Sequence, residues 1–328
     1  MIKAFYWSKK WLIHAYGGGL FLLISLYAQV HMTVLLNAWY EKMYNLLQKA
    51  GAEGATLEAF WQVIIDFAWI AGPYVLLASM TSYFTRRYSL WWREAMTFDY
   101  IPRWRNVKED IEGSSQRIQE DAYRFARIIE TLGLQVVRAI MTLIAFVPIL
   151  WKLSELVAIK WMSSVDGSLV WTAALVSVGG MAISWMVGLK LPGLEYNNQK
   201  VEAAFRKELV YGEDHKEEYS SIESLTELFS GVRFNYKRLF LHYGYFDLWV
   251  YTYDQGIMLI PFLVMAPSLF TGLIQLGMMI RVSNAFDKVY QSFALFIHNW
   301  TTITELRSIW KRLHEFERNL DKYNCTVV

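Results

Sequence analysis

Six apolar stretches, each long enough to cross a lipid bilayer, limit the fold of this chain more than any other feature. They lie at about residues 15–37, 61–84, 131–151, 168–190, 246–271 and 273–300. A helix rises 1.5 Å per residue, so roughly 20 residues cross about 30 Å of hydrocarbon. Hydrophobic residues make up 55% of the 328-residue chain, more than is usual for a soluble domain. The sequence therefore predicts an all-α, polytopic membrane protein in contact with the lipid bilayer.

Basic residues indicate which side of the membrane the connections face. The two long and charged connections are 85–130 and 191–244. Lysines and arginines precede the first span, as at Lys9, follow the second, as at Arg86, and follow the last, as at Arg307. Cytoplasmic segments of membrane proteins are enriched in Lys and Arg. Both long connections and both termini are therefore expected in the cytoplasm.

The long connections are expected to be helical, because they contain few glycines or prolines and carry opposite charges four residues apart. These pairs are Arg117/Asp121, Glu120/Arg124 and Glu202/Arg206. The second and fourth spans would then continue into the cytoplasm as helices, and the last helix would also continue inward. Six spans of this layout resemble the membrane domain of an ABC exporter, the type IV fold, which is a likeness of fold alone.

The sequence offers no sign of an ATPase domain. A phosphate loop needs the pattern G-x-x-x-x-G-K-[ST], and the chain contains no Gly-Lys pair. About two dozen residues after Trp300 are too few for a nucleotide-binding domain, since domains rarely have fewer than roughly 50 residues. Residues 1–328 are expected to form a single transmembrane transporter domain, energised by a separate ATPase or by an ion gradient.

Ionisable residues inside or beside the spans are the candidate functional groups. Glu130 lies at the entry to the third span, where desolvation can raise the pKa of a carboxyl group toward neutrality. In the sixth span, polar residues recur on one helical face at i, i+3, i+7 and i+10: Arg281, Asn284, Lys288 and Gln291. This stripe predicts a water-filled cavity, with Asp287 or an acid of another helix as partner. Arg138 and Asp66 are expected to point inward too; the alternative is a set of salt bridges that fix helix packing.

Several other functions lack support in the sequence. The histidines form no i,i+4 pair and no H-E-x-x-H motif, so neither a metal site nor another cofactor is expected. A formal net charge of +2 argues against nucleic acid as the main partner. No nucleophile elbow or catalytic Ser/His/Asp order is present, and the chain is not expected to be an enzyme.

Long motifs of this chain closely resemble the SbmA/BacA family of bacterial peptide-antibiotic transporters between about residues 30 and 320. They include LLNAWYEKMYNLLQ, EGSSQRIQEDAYRFARIIETLG, GLKLPGLEYNNQKVEAAFRKELVYGED and NWTTITELRSIWKRLHEFE. The resemblance implies a homodimer of the bacterial inner membrane that has an exporter-like fold without an ATPase. It also implies import of peptides, such as proline-rich antimicrobial peptides, driven by protons as the coupling ion.

The resemblance also implies a role in proton coupling for particular glutamates. Family positions implicated in proton coupling correspond to Glu130 in RIIETLG, Glu202 in KVEAAF and Glu213 in YGED. Glu120 and Glu208 occupy further acidic positions of the same motifs. The alternative for each is an ion pair on a solvated helix face, of the kind that Glu120/Arg124 or Glu202/Arg206 would form.

The sequence thus predicts a secondary transporter that alternates access around a cavity between two protomers. One alternative is the membrane subunit of an ABC transporter with a separate ATPase, which would dock on a coupling helix within 106–116 or 210–220. A second is a non-transporting membrane scaffold or lipid-binding protein, which would leave the polar stripe unexplained.

Overall fold

A computed structural model of the protein describes residues 1–50, 56–107, 111, 113–214 and 221–324. Helices are the regular secondary structure of these residues, and they contain no strand, as predicted. The helices are α1 (Ile2–Tyr6), α2 (Gly18–Gln48), α3 (Leu57–Arg105), α4 (Ser114–Leu156), α5 (Lys160–Ser163), α6 (Ser168–Gly188), α7 (Leu191–Asp214), α8 (Ile222–Phe270), α9 (Leu276–His298) and α10 (Trp300–Asn324). A π turn at Ile13–Gly17 precedes α2, and two more, Arg117–Asp121 and Ile129–Gly133, interrupt α4.

Five helical segments of the described chain are long and apolar enough to cross a membrane. They are Ile13–Gln48, Leu57–Arg105, Ser114–Leu156, Ser168–Glu213 and Ile222–Phe270. They contain the first five predicted spans, and the protein is a membrane protein with several apolar helices.

The sixth predicted span forms the helix α9, but α9 is not among these apolar segments. The reason is its charged face, which carries Arg281, Asp287 and Lys288. The opposite face packs against α2 and α4 and buries side chains such as Phe286 and Val289. A helix sheltered by its neighbours does not need to be apolar all round. A sixth membrane crossing stays a prediction.

The helices α3 and α8 extend well beyond the thickness of a bilayer. Each has 49 residues and is therefore about 74 Å long, against about 30 Å of hydrocarbon. At its start α3 is capped by Thr56, whose Oγ1 accepts a hydrogen bond from the main-chain N of Ala59 at 3.2 Å. Arg103 and Arg105 in its last turn interact favourably with the helix dipole. Helical continuation of the spans, as predicted from the charge pairs, is confirmed.

The chain divides into two compact units. Unit 1 comprises Met1–Ala174 and Pro261–Val328, and unit 2 comprises Leu175–Ile260, so the boundaries fall inside α6 and α8.

Unit 1 has an aromatic core that joins α1, α3, α4 and α10. The ring of Trp92 stacks on Phe5 with centroids 5.4 Å apart and meets Phe125 edge-on at 5.7 Å. Tyr100 contacts Phe316 edge-on at 5.5 Å. The side chain of Tyr100 is fully buried, and its hydroxyl donates a hydrogen bond to Glu317 at 3.0 Å. Edge-on aromatic pairs of this kind stabilise a core beyond the area that they bury.

The helix α10 contributes one apolar stripe to this core. Ile309, Leu313, Phe316 and Leu320 recur every three or four residues, and all four are buried. This spacing places them on one face of the helix, with charged residues on the other. The predicted helix after the last span therefore exists, and it packs against α4 and α3.

Unit 2 contains the rest of α6, α7 and most of α8. Trp249 of α8 donates from its indole Nε1 to Ser184 Oγ of α6 at 2.9 Å, and its ring stacks on Tyr253. Phe205 of α7 contacts Phe229 of α8 at 5.7 Å between centroids. A hydrogen bond from Trp249 thus joins α8 to α6, and an aromatic contact of Phe229 joins α8 to α7.

Candidate functional site

A cavity of about 360 Å³ lies among α2, α3 and α4 in unit 1. Leu22 and Leu26 of α2 and Leu134 of α4 form apolar parts of its wall. Glu130 is the one acidic residue among the described residues that line it, and it is half-buried. The volume is within the range of pockets that hold small ligands. In this space, called the Glu130 cavity below, a single carboxyl group of the described lining lies beside an apolar surface.

Glu130 occupies a local irregularity of α4, the π turn Ile129–Gly133. A π turn uses i→i+5 hydrogen bonds, and such turns are frequent at functional sites. Thr131 Oγ1 donates to the main-chain O of Arg127 at 3.2 Å and of Ile128 at 3.3 Å. A hydroxyl that bonds back to its own helix in this way commonly accompanies a bend. The sequence motif RIIETLG indicated the glutamate but not the π turn.

Hydroxyl groups form a second wall of the Glu130 cavity. The Tyr6 and Tyr88 hydroxyls are 2.9 Å apart, and Tyr88 donates to the main-chain O of Ala15 at 3.0 Å. Ala15 belongs to the π turn that precedes α2. Thr85, about one turn before Tyr88 in α3, and Ser89, the residue after it, also line the cavity. Sequence reasoning missed these residues, because hydroxyls on an apolar helix carry no distinctive spacing.

A polar chain crosses the helices one turn beyond the cavity. Arg138 donates from Nη2 to Gln29 Oε1 at 2.8 Å. The fully buried Gln29 donates from Nε2 to Thr81 Oγ1 at 2.8 Å. Thr81 in turn donates to the main-chain O of Leu77 at 2.7 Å. Arg138 is half-buried, and no salt bridge to it is formed within the described residues.

The polar face of α9 is tied to the end of α2. Arg281 Nη1 forms a salt bridge with Glu41 Oε2 at 2.6 Å. The first turn of α9 is capped by α2 side chains, since Gln48 Oε1 accepts from Leu276 N and Asn45 Oδ1 accepts from Gly277 N, both at 2.9 Å. We call this set of contacts the α2–α9 junction. An acid from another helix is thus the partner of Arg281.

The other predicted cavity residues differ in their surroundings. Asn284 and Lys288 are half-buried, whereas Gln291 is exposed and donates to Asp287 Oδ1 at 3.4 Å. The Asp66 side chain is 54% exposed and lies 3.9 Å from Lys42 Nζ. Arg281 and Arg138 thus form shorter contacts with a neighbouring helix, at 2.6 and 2.8 Å, than Asp66 does.

The remaining predicted glutamates lie outside the Glu130 cavity. In unit 2, Glu202 and Glu208 are half-buried on α7 and Glu213 is exposed. Ser224 Oγ donates to Glu208 at 3.3 Å, whereas Glu202 and Arg206 do not form the predicted ion pair in the described part of α7. In unit 1, Glu120 forms its predicted pair with Arg124 at 2.8 Å.

A buried charge cluster joins α4 to α10, and sequence reasoning found only part of it. Asp121 is 1% exposed and accepts from Arg117 at 2.7 Å, as the i,i+4 spacing predicted. Arg312 of α10 adds two hydrogen bonds to the same carboxylate, at 3.0 and 2.7 Å. Hydrogen bonding to Asp121 raises the pKa of Arg312 above its ordinary value. We call these three residues the α4–α10 junction.

The two segments that could dock an ATPase, 106–116 and 210–220, lie partly outside the described residues. Within the part of the chain that the structure describes, no group of three or more His, Cys, Asp or Glu side chains could hold a metal ion.

Comparison with known proteins gives one family and several distant relatives. Residues 8–321 match the sequence profile of the SbmA/BacA-like family. The inner membrane ABC transporter ATP-binding protein YddA of Escherichia coli (strain K12) is 25% identical over 320 residues, which are 90% of this chain and 56% of that protein. ABC transporter D family member 2, chloroplastic, of Arabidopsis thaliana is 26% identical over 311 residues, 90% of this chain and 41% of that protein. The chain thus spans about half the length of the relatives that it matches.

Proposed function

Because the chain belongs to the SbmA/BacA-like family, we propose that it imports peptides across the bacterial inner membrane, driven by the proton gradient. In this proposal two copies form a homodimer with six spans each and both termini in the cytoplasm. The dimer alternates between inward-open and outward-open states. The observation that carries the proposal is Glu130, an acidic side chain in a π turn beside an apolar cavity.

Proton binding at Glu130 would change the free energy of closing the cavity. An ionised carboxylate needs water or a hydrogen-bond donor, so an apolar wall can close over it only at a cost. A protonated carboxyl group is neutral and enters such an environment more easily. Protonation therefore favours the state in which the apolar walls of Leu22, Leu26 and Leu134 approach each other, and deprotonation favours the open state.

The other family glutamates are assigned secondary parts in this proposal. Glu202 and Glu208 are half-buried, which favours a part in coupling over a purely solvated pair. Glu213 is exposed and Glu120 is paired with Arg124, so we expect weaker effects of their replacement than of Glu130→Gln.

A second candidate function is the membrane subunit of an ABC transporter. The names of the relatives favour it, since the Escherichia coli and Arabidopsis proteins are described as ABC transporter proteins, and the chain spans only about half of each. In this alternative ATP, bound to a separate subunit, supplies the energy, and Glu130 has no part in coupling.

Uptake into proteoliposomes that contain only this protein separates the two functions. The substrate is a fluorescent proline-rich peptide, with an inward proton gradient imposed and no ATP. We expect gradient-driven uptake that is lost in Glu130→Gln and largely retained in Glu120→Gln, since Glu120 lies on the same helix in an exposed ion pair. Gradient-driven uptake by Glu130→Gln at the wild-type rate would contradict proton coupling at this residue. Uptake that requires ATP and an added ATPase would favour the second candidate.

A further inference from the structure

Arg138 differs from the half-buried Arg281 in having no acidic partner among the described residues. Arg281 is neutralised by Glu41 at 2.6 Å. The contact of Arg138 is instead with a neutral amide oxygen, that of Gln29. A guanidinium group carries five N–H donors and stays charged in proteins. Its charge within an apolar helix is costly unless it is paired or faces water, and no acid among the described residues pairs with it.

The contacts of Arg138 hold the guanidinium group in a fixed orientation. Gln29 is fully buried, and its two polar atoms are both used, Oε1 by Arg138 and Nε2 by Thr81. Thr81 is also buried and is fixed by the main-chain O of Leu77. A supporting chain of hydrogen bonds is the usual means of preparing a charged group for a ligand. Gln29 therefore orients Arg138 without cancelling its charge.

Arg138 is not itself a lining residue of the Glu130 cavity, but it directly follows the lining residue Val137 in α4. Leu134 and Val137 of α4 line the cavity, and Arg138 follows Leu134 by one turn. In a helix the side chain lies over the turn that precedes its own Cα, so Arg138 leans toward the level of Leu134. Glu130 is eight residues earlier, about 12 Å along the helix axis. The cavity thus has Glu130 in its wall, and the guanidinium of Arg138 belongs to the residue directly after its lining residue Val137.

We propose that Arg138 binds a carboxylate of the solute, whose adjoining apolar part occupies the Glu130 cavity. This inference rests on the proposed transport function and names the substrate class for the same site. The guanidinium fork matches the two oxygens of a carboxylate, which it binds through two parallel hydrogen bonds. A volume of about 360 Å³ suits a small apolar group with one such anion rather than a whole peptide. The carboxylate is the C-terminus of a peptide or the head group of an alkyl carboxylate.

Equilibrium binding to the protein in lipid nanodiscs tests this proposal without any proton gradient. The probes are a fluorescent proline-rich octapeptide with a free C-terminal carboxylate and the same octapeptide with a C-terminal carboxamide. Hydrogen bonds to charged groups predict an affinity about tenfold to a hundredfold higher for the carboxylate form. We expect Arg138→Gln to bind both forms equally. The matched variant Arg281→Gln, which removes the same charge from a paired arginine, should keep the preference.

A second set of probes distinguishes the two sources of the carboxylate. Decanoate and decanol are added as competitors of the labelled octapeptide. If decanoate displaces it more strongly than decanol in the wild type, and not in Arg138→Gln, alkyl carboxylates share the site. If decanoate fails to displace it, the peptide C-terminus is the source.

Two results would together overturn the proposal, whatever the variants do. The wild-type protein would bind the carboxylate and carboxamide octapeptides with equal affinity, and decanoate and decanol would compete equally. A carboxylate preference that survives in a folded Arg138→Gln would overturn it as well. Arg138→Lys, which keeps the charge but loses the fork, is expected to retain part of the preference. If the protein binds with the expected preference but shows no uptake in proteoliposomes, the transport function alone is contradicted. If it takes up both octapeptides at equal rates and with equal affinities, this inference alone is contradicted.

Discussion

The α2–α9 junction and the Glu130 cavity use the same kinds of residue in opposite ways. At the junction, Glu41 neutralises Arg281, and Asn45 and Gln48 cap the first turn of α9. At the cavity, Glu130 and the nearby Arg138 are both left without an ionic partner in the described residues. The first arrangement fixes two helices together, whereas the second leaves both charges open, as the proposed binding of a proton and of a solute requires.

The comparison shows why position alone does not identify a transport residue in a membrane protein. Both arginines lie in helices packed among α2, α4 and α9, and both would count as intramembrane charges. Their partners separate them, because a paired charge fixes helix packing, whereas an unpaired charge is costly to bury and is the one that a solute carboxylate could offset. The α4–α10 junction belongs with the structural group, since Asp121 is shared between two arginines. The following predictions test that division.

The largest effect on stability is expected at the α4–α10 junction. Asp121→Asn leaves Arg117 and Arg312 without the carboxylate that both use. Removing one member of a buried ion pair is strongly destabilising, and partial exposure of both arginines reduces the effect to about 2–4 kcal/mol. Thermal unfolding followed by fluorescence-detected size-exclusion chromatography should show a clear fall in the midpoint. The control Arg124→Gln breaks exposed pairs and should cost less than about 1 kcal/mol; equal falls would refute the distinction.

A smaller loss of stability is expected where α9 approaches α2 most closely. A Cβ at Gly277 would overlap the main-chain O of Glu41 and the side chain of Asn45. Because a main-chain atom cannot move aside easily, Gly277→Ala should cost about 1–3 kcal/mol, as overpacking generally does. Gly72→Ala in α3 is the matched control, since a Cβ there would meet no atom within 4 Å. Gly72→Ala should leave the unfolding midpoint unchanged or slightly higher, and a similar fall in both variants would show that the close approach is not the cause.

At the cavity, the expected effect is on solute preference rather than on folding. Gln29→Leu removes the amide that orients Arg138 but leaves the guanidinium charge. We expect the preference for the carboxylate octapeptide to fall about threefold to tenfold, less than in Arg138→Gln. Thr33→Ala serves as the control, because the Thr33 hydroxyl donates to the main-chain O of Gln29 rather than contacting its amide. An unchanged preference in Gln29→Leu would mean that the amide is a packing group.

Patterns within one helix could be predicted from the sequence, and contacts between distant helices could not. The Arg117–Asp121 and Glu120–Arg124 pairs followed from i,i+4 spacing and are present. The partner of Asp121 on α10 is 191 residues away, a separation at which no periodicity carries information. An acid on another helix was expected for Arg281, but only the packing of α9 on α2 identifies it as Glu41.

The candidate site was predictable to a similar extent. Glu130 and Arg138 stand out as charges at and inside an apolar stretch, so both could be named in advance. The π turn at Ile129–Gly133 and the buried amide of Gln29 could not, since neither leaves a mark in spacing or hydropathy. In the sixth predicted span the polar stripe was evident from the sequence. The charges of that stripe, however, keep α9 outside the helical segments that are apolar enough to cross a membrane.

The smallest expected effect concerns the hydroxyl wall of the Glu130 cavity. Tyr88→Phe removes the donor to the main-chain O of Ala15 and the contact with the Tyr6 hydroxyl. Tyr6→Phe removes only the contact between the two hydroxyls. Loss of one intramolecular hydrogen bond costs about 1 kcal/mol, so Tyr88→Phe should lower the unfolding midpoint more than Tyr6→Phe. If the hydroxyls serve only packing, the carboxylate preference should be unchanged in both variants, and a changed preference would assign Tyr88 to the solute-binding group with Arg138.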